Sequence, residues 1–333
     1  MSWITQKTGI IDHHRDTDFG TQPVRTKHWM IVYMFQKTNP TFYAEVKDLI
    51  AKGKLSGKLG IIYGEEPIRL PDGKFQTPRA NGKTKQIEIH ETFLSYLWCC
   101  TYSLYVTFLE TIDYPQCNFH AGYEVFPISE ENILIAQEMF DYARHLIVDF
   151  TVWDKDKMPN PERLLAEKRI YIEQTNCFYT EAVKFILCHE FTHLERHLDQ
   201  INEKTTTSNY LEFESEADNT AIDKMKEGMS YMPIPLAQSH RLAIEIGAII
   251  GVLSMLFFRA TTEGVRHPNT EDRLTNVIER LDLIDNDAAW AIACVGLKFW
   301  DSQFGHNFEW QENPNSYKEE YYAIIKQIKA REK

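Results

Sequence analysis

Thr180-Glu181-Ala182-Val183-Lys184-Phe185-Ile186-Leu187-Cys188-His189-Glu190-Phe191-Thr192-His193-Leu194-Glu195-Arg196-His197-Leu198 is the stretch that decides how this chain is read. Its apolar residues Val183, Ile186, Leu187, Phe191, Leu194 and Leu198 follow a helical stripe, and no proline or glycine interrupts them. The expectation is a helix over residues 181–197. On it His189 and His193 stand one turn apart, about 6 Å along the axis and about 40° around it, so both imidazoles lean from one face and can hold one metal ion. Glu190 then flanks the metal rather than ligating it. Such a pattern of three fixed positions arises by accident in roughly one chain in a hundred of this size, so its surroundings must carry the argument.

A catalytic zinc takes three protein ligands and keeps a fourth position for water. The third ligand is sought in Glu214-Ser215-Glu216-Ala217-Asp218-Asn219-Thr220-Ala221, within an expected helix over 212–226. Glu214 is preferred because Asp218, one turn on, can accept the second N–H of a ligating histidine and fix its tautomer. Glu212 and Glu216 are rivals, but two residues turn a helical side chain by about 200°, so one of the three faces the metal and the others are read as solvated. Ala217 and Ala221 let this helix approach the first closely, and the polar segment 201–210 lets the chain turn back. His197 would lie about 12 Å from His189 on a straight helix, too far for a shared ion, and reads as a surface or second-layer residue. Cys188 points about 100° from His189 and reads as packing. A third element, His267-Pro268-Asn269-Thr270-Glu271-Asp272-Arg273-Leu274, carries a helix-start signal ahead of an expected helix over 270–283.

In that order, His189-Glu190-x-x-His193, Glu214-x-x-Ala217-Asp218-x-x-Ala221 and His267-Pro268-x-x-x-x-Arg273 resemble the gluzincin metallopeptidases of the HtpX and CAAX-protease type, over roughly residues 180–281. The resemblance implies zinc bound by His189, His193 and Glu214, with Asp218 supporting a ligand and His267 and Arg273 shaping the site. Those relatives are membrane proteins, and this chain offers no convincing span. Its length and soluble character are similar instead to the phage-exclusion Lit peptidases, cytoplasmic zinc peptidases with the same first motif. That similarity implies a protein substrate, a host translation factor attacked during phage infection.

The chemistry expected is hydrolysis of a peptide bond with Glu190 as general base. His267 is the first choice for the oxyanion donor, Arg273 for locking the loop through a carboxylate, and His240 and Tyr231 remain alternatives. The competing reading is a protein-binding module with a structural or vestigial zinc site. It needs a fourth protein ligand, for which only His197 or Cys188 is at hand.

Composition bounds the rest. A charge of −12, from 36 basic and 48 acidic residues, argues against a nucleic-acid surface, while 43% hydrophobic and 13% aromatic content supports a packed core. Residues 1–7 lack the apolar core of a signal peptide, and six cysteines are scattered without disulfide or metal spacing, so a cytoplasmic protein with reduced thiols is expected. The most apolar window, 242–258, is uncharged only over 246–258, short of the ~20 residues a bilayer needs, and reads as a buried core helix. A protease free in the cytoplasm needs restraint, so a regulatory partner is also expected.

The fold class expected is α+β, predominantly helical, with a zincin-like metallopeptidase core: an N-terminal α/β portion over 1–85 and a mainly helical domain over 86–333. The first portion offers a strand-like 29–35, a helix-like 42–51, a strand-like 58–63, the turn Leu70-Pro71-Asp72-Gly73-Lys74 and a polar boundary at 76–86. Helices are expected over 92–110, 130–148, 181–197, 212–226, 241–261, 270–283, 288–300 and 318–331. Segments 169–174 and 85–90 read as strands, either of which could pair with substrate backbone. The cluster Asp12-His13-His14-Arg15-Asp16-Thr17-Asp18 reads as a solvated segment rather than a second metal site.

Overall fold

The computed structural model describes residues 22–331 apart from 29, 32–37, 58, 164, 232–233, 265–266 and 313. Its elements run α1 (Pro40–Ala51), β1 (Gly60–Ile62), β2 (Arg79–Asn81), β3 (Gln86–His90), α2 (Glu91–Phe108), α3 (Tyr114–Ala121), α4 (Glu130–Val148), α5 (Arg169–Thr192), α6 (Thr207–Met229), α7 (Ile234–Leu256), α8 (Thr270–Glu279), α9 (Ala288–Phe304) and α10 (Tyr317–Arg331). The fold is α+β and predominantly helical, with one small sheet among the described residues.

Local chemistry sets most of the helix starts. Asn39 accepts from the Phe42 N–H ahead of Pro40, Ser129 accepts from Asn132 ahead of α4, and Thr206 with Asn209 forms a reciprocal capping box at α6. The expected helix over 130–148 is found with those bounds. The polar segment 76–86 carries β2, which pairs antiparallel with β3, so the sheet straddles the expected boundary at residue 85. Strand order is β1-β3-β2, with β1 parallel to β3 in the register Ile61↔Ile89. Of the expected strand at 29–35 only Met30 and Ile31 are described, and both are helical; residues 12–18 lie outside the described residues.

One expectation is overturned. Residues 169–174 are the first turns of α5 rather than a strand. Ile170 and Ile172 alternate with polar residues, but burial runs in pairs, Tyr171 with Ile172 and then Thr175 with Asn176, which is the helical period. Only a window extending past residue 174 distinguishes the two patterns. The other candidate, 85–90, is a strand, but it is the middle one, with β1 and β2 occupying both of its edges. Neither segment can therefore receive an added strand.

Helix α5 lies at the centre, packed by α7, α6 and α2; α8 bridges α7 and α6, and α9 rests on α7 and α2. Close approach of α5 and α7 depends on Gly247, where a Cβ would stand 2.5 Å from Glu181 Cβ and 2.8 Å from the Ala182 nitrogen. Helix α1 packs on the same central helix through Phe42, whose ring meets Phe191 edge-on at 4.8 Å. Residues 238–256 of α7 are long and apolar enough to cross a membrane by length and composition, yet 78% of that window is buried inside the protein. The interior of the helical layer accounts for its apolar character.

Candidate active site

The C-terminal turns of α5 carry His189 and Glu190, both buried, and His193 begins a π turn, His193–His197, in which the Leu198 N–H reaches back to the His193 carbonyl at 3.1 Å. Helix α6 crosses beside it, with Ala217 and Ala221 fully buried. That contact brings Glu214 to the histidines. His189 Nε2 and His193 Nε2 are 3.0 Å apart, and each lies 3.3 Å from a Glu214 carboxylate oxygen. Glu212 and Glu216 point outward and are exposed, as the phase of the helix requires.

These donors fit a single metal ion. A tetrahedral ion with bonds of about 2.1 Å spaces its ligand atoms about 3.4 Å apart, close to what the side chains already adopt. Oε2 of Glu214 is buried and makes no hydrogen bond of acceptable geometry among the described residues, although His267 Nδ1 stands 2.9 Å away. A buried carboxylate oxygen lacking a well-directed donor suits a cation.

The layer behind the donors differs from one histidine to the other. His189 Nδ1 is 2.8 Å from Asp218 Oδ1, and Asp218 is gripped by Arg273 of α8 through two bonds of 2.8 Å. Burial disfavours the Asp218 charge, but Arg273 and His189 outweigh it and hold the carboxyl well below its usual range. Burial likewise opposes a charged His189, yet Asp218 and Glu214 push its pKa up to about 10 without a metal. Glu214 is opposed by burial and rescued by His189, His193 and His267, so it stays ionised far below its usual range.

His193 is backed differently. Its Nδ1 is 2.9 Å from Nδ1 of His197, whose Nε2 lies 3.2 Å from Glu216, which Arg196 also contacts at 2.8 Å. The His197 ring is fully buried and stacks on Phe213 at 4.6 Å. Glu216 is exposed as expected, and from the surface it also partners Arg196 and His197. Cys188 is buried and packs in the core.

A cavity of about 210 Å³ opens against this group, lined by His189, Glu190, Glu214, His267 and Arg273 and walled by Phe75, Phe93, Phe185, Ile186, Met255 and Phe258. His267 sits at its rim with a side chain 58% exposed. The alternatives His240 and Tyr231 do not line it. Buried His240 instead faces Glu181 at 3.6 Å, within a buried cluster that includes Lys184, while Tyr231 meets Thr41 at the surface. Neither faces the cavity in which a reacting carbonyl would sit. Phe75, Thr77, Pro78 and the segment from Phe258 to Gly264 were not expected at the site; the turn and polar segments that bring them there carry no chemical motif.

The model of one protein family, Peptidase U49, matches residues 87–293, more than half of the chain and all of the residues just described around the two histidines. The chain belongs to that family, the Lit proteases. It is a peptidase. Comparison with curated proteins and with solved structures returned no significant match. The matched residues run from β3 into α9.

Proposed function

We propose that this peptidase is a zinc-dependent endopeptidase of gluzincin type with a zincin-like core, holding zinc through Nε2 of His189, Nε2 of His193 and the carboxylate of Glu214. The observation that carries the reading is the convergence of those three side chains, each of which offers one ligand atom within 4.8 Å of the other two. When bound, zinc supplies Lewis acidity, lowering the pKa of an attacking water towards about 7 and polarising the scissile carbonyl. Glu190, on the cavity wall, takes the proton of that water and returns it to the leaving amine. Asp218 accepts from His189 Nδ1–H and so leaves the Nε2 lone pair free. Arg273 is committed to Asp218 and locks that tautomer, whereas exposed His267 at the rim is the group placed to donate to the developing oxyanion. The apolar wall excludes water and receives substrate side chains. Strand β2 lies at the sheet edge against α5, and Thr77 and Pro78 just before it line the cavity, which suits it to pair with substrate backbone.

The substrate we propose is a cytoplasmic protein, with a host translation factor cut during phage infection as the candidate that family membership favours. The competing reading, a protein-binding module with structural zinc, has one observation on its side: His267 lies close enough to Glu214 to act as a fourth donor. Exposure of His267 on the rim of an open cavity favours the catalytic reading. The discriminating experiment expresses the wild type and Glu190→Gln in parallel and identifies new protein N-termini by mass spectrometry. New termini with the wild type alone, at equal zinc content, are expected; identical termini in both would overturn the assignment of Glu190.

A further inference from the structure

We propose that His197 and Glu216 are positioning residues for His193, forming a relay that presents its Nε2 to the metal; the inference rests on His193 being a metal ligand, as argued above. A histidine that gives Nε2 to a metal carries its remaining proton on Nδ1. On His193 that Nδ1 faces only one polar neighbour among the bonds described, Nδ1 of His197 at 2.9 Å. Two facing ring nitrogens share one proton, so His197 must accept at Nδ1 and carry its own proton on Nε2. That Nε2 faces Glu216 Oε2 at 3.2 Å, an acceptor whose charge is fixed by Arg196. Every proton in the series then has one donor and one acceptor, and all the bonds run in one direction, from His193 to His197 to Glu216.

The backbone and the packing around His197 serve the same end. The π turn over His193–His197, a rare form that recurs at functional sites, sets the two rings at 64° with centroids 5.0 Å apart. The buried His197 ring is held against Phe213 at an interplanar angle of 15°, so it cannot swing away without losing that stack. His197 faces His193, Phe213 and Glu216, and its role is played through the far side of a ligand rather than on the metal itself.

The test measures affinity for Zn2+ by chelator competition in the full-length protein. His197→Phe keeps the ring and its stacking but removes the acceptor, and is expected to weaken Zn2+ binding by about 10–100-fold. His197→Asn restores an acceptor near the Nδ1 position and should recover part of that loss. Unchanged affinity in His197→Phe would overturn the relay while leaving the metal site standing, whereas a wild type that binds no Zn2+ overturns both. A measurement free of folding effects uses nitrogen-15 NMR of histidine-labelled, Zn2+-loaded wild type. The relay requires His197 protonated on Nε2 with a bare Nδ1; a proton on His197 Nδ1 contradicts it.

Discussion

The two histidines of one helix turn are supported in opposite ways. Behind His189 stand Asp218, 1% exposed, and Arg273, 13% exposed, in a two-bond clamp contributed by α6 and α8. Behind His193 stand His197 and then Glu216, which is 46% exposed and reaches solvent beside Arg196. The first arrangement joins three helices around a buried charge pair; the second stays within the π turn that follows α5 and the adjacent face of α6. The difference teaches that the two rings are backed at unequal burial: the clamp is expected to carry stability as well as ring orientation, and the proposed relay mainly orientation.

The largest effect that would break this comparison concerns Arg273. Arg273→Met leaves the Asp218 charge buried with one partner lost and should cost about 3–5 kcal/mol of stability, read from denaturant unfolding. A loss of the same size in His197→Phe would erase the distinction between the two sides. Next comes the rear of α5. Gly247→Ala puts a methyl group into the α5–α7 contact, where Glu181 and the Ala182 nitrogen already fill the space, and should cost about 1–3 kcal/mol by the same measurement. Because Gly247, Glu181 and Ala182 do not themselves line the cavity, zinc stoichiometry in the folded fraction should be unchanged.

A pH dependence sharpens the comparison further. His189 has its pKa raised on folding to about 10 in the metal-free protein. A histidine so shifted contributes stability that is fully present below its unfolded value near 6.5 and is lost as pH rises through about 10. Chelator-treated protein should therefore show a falling melting temperature between those limits. Zinc-loaded protein should lack that component, since a ligating His189 has no second proton to lose. A parallel decline in both forms would contradict the ligand role of His189. The smallest effect belongs to Arg196, whose pair with Glu216 is half exposed: Arg196→Ala should change stability by less than about 1 kcal/mol in the same unfolding assay.

Much of this was legible in the chain itself, for reasons that particular residues make plain. The stripe from Val183 to Leu198 announces a helix, and the helical phase that separates Glu214 from Glu212 and Glu216 leaves Glu214 the buried one. The Asp218 spacing anticipates its bond to His189. What escaped reading depended on geometry that sequence does not encode locally. A straight-helix argument removes His197 from the metal but gives no sign of a π turn that sets it against His193. Strand β2 is three residues long and polar, and only its pairing with β3 defines it. Helix α3 is short, barely amphipathic and buries Tyr114 alone, so no periodicity marks it. Residues 169–174 satisfied a two-residue period over too short a span to expose the helical one.

The central claim is most directly tested by elemental analysis of the purified chain. About one zinc per chain is expected in the wild type, in Glu190→Gln and in the control Glu212→Gln, with loss in His193→Ala and Glu214→Ala. Zinc absent from the wild type, or retained in full when Glu214 and His193 are replaced, would contradict the account.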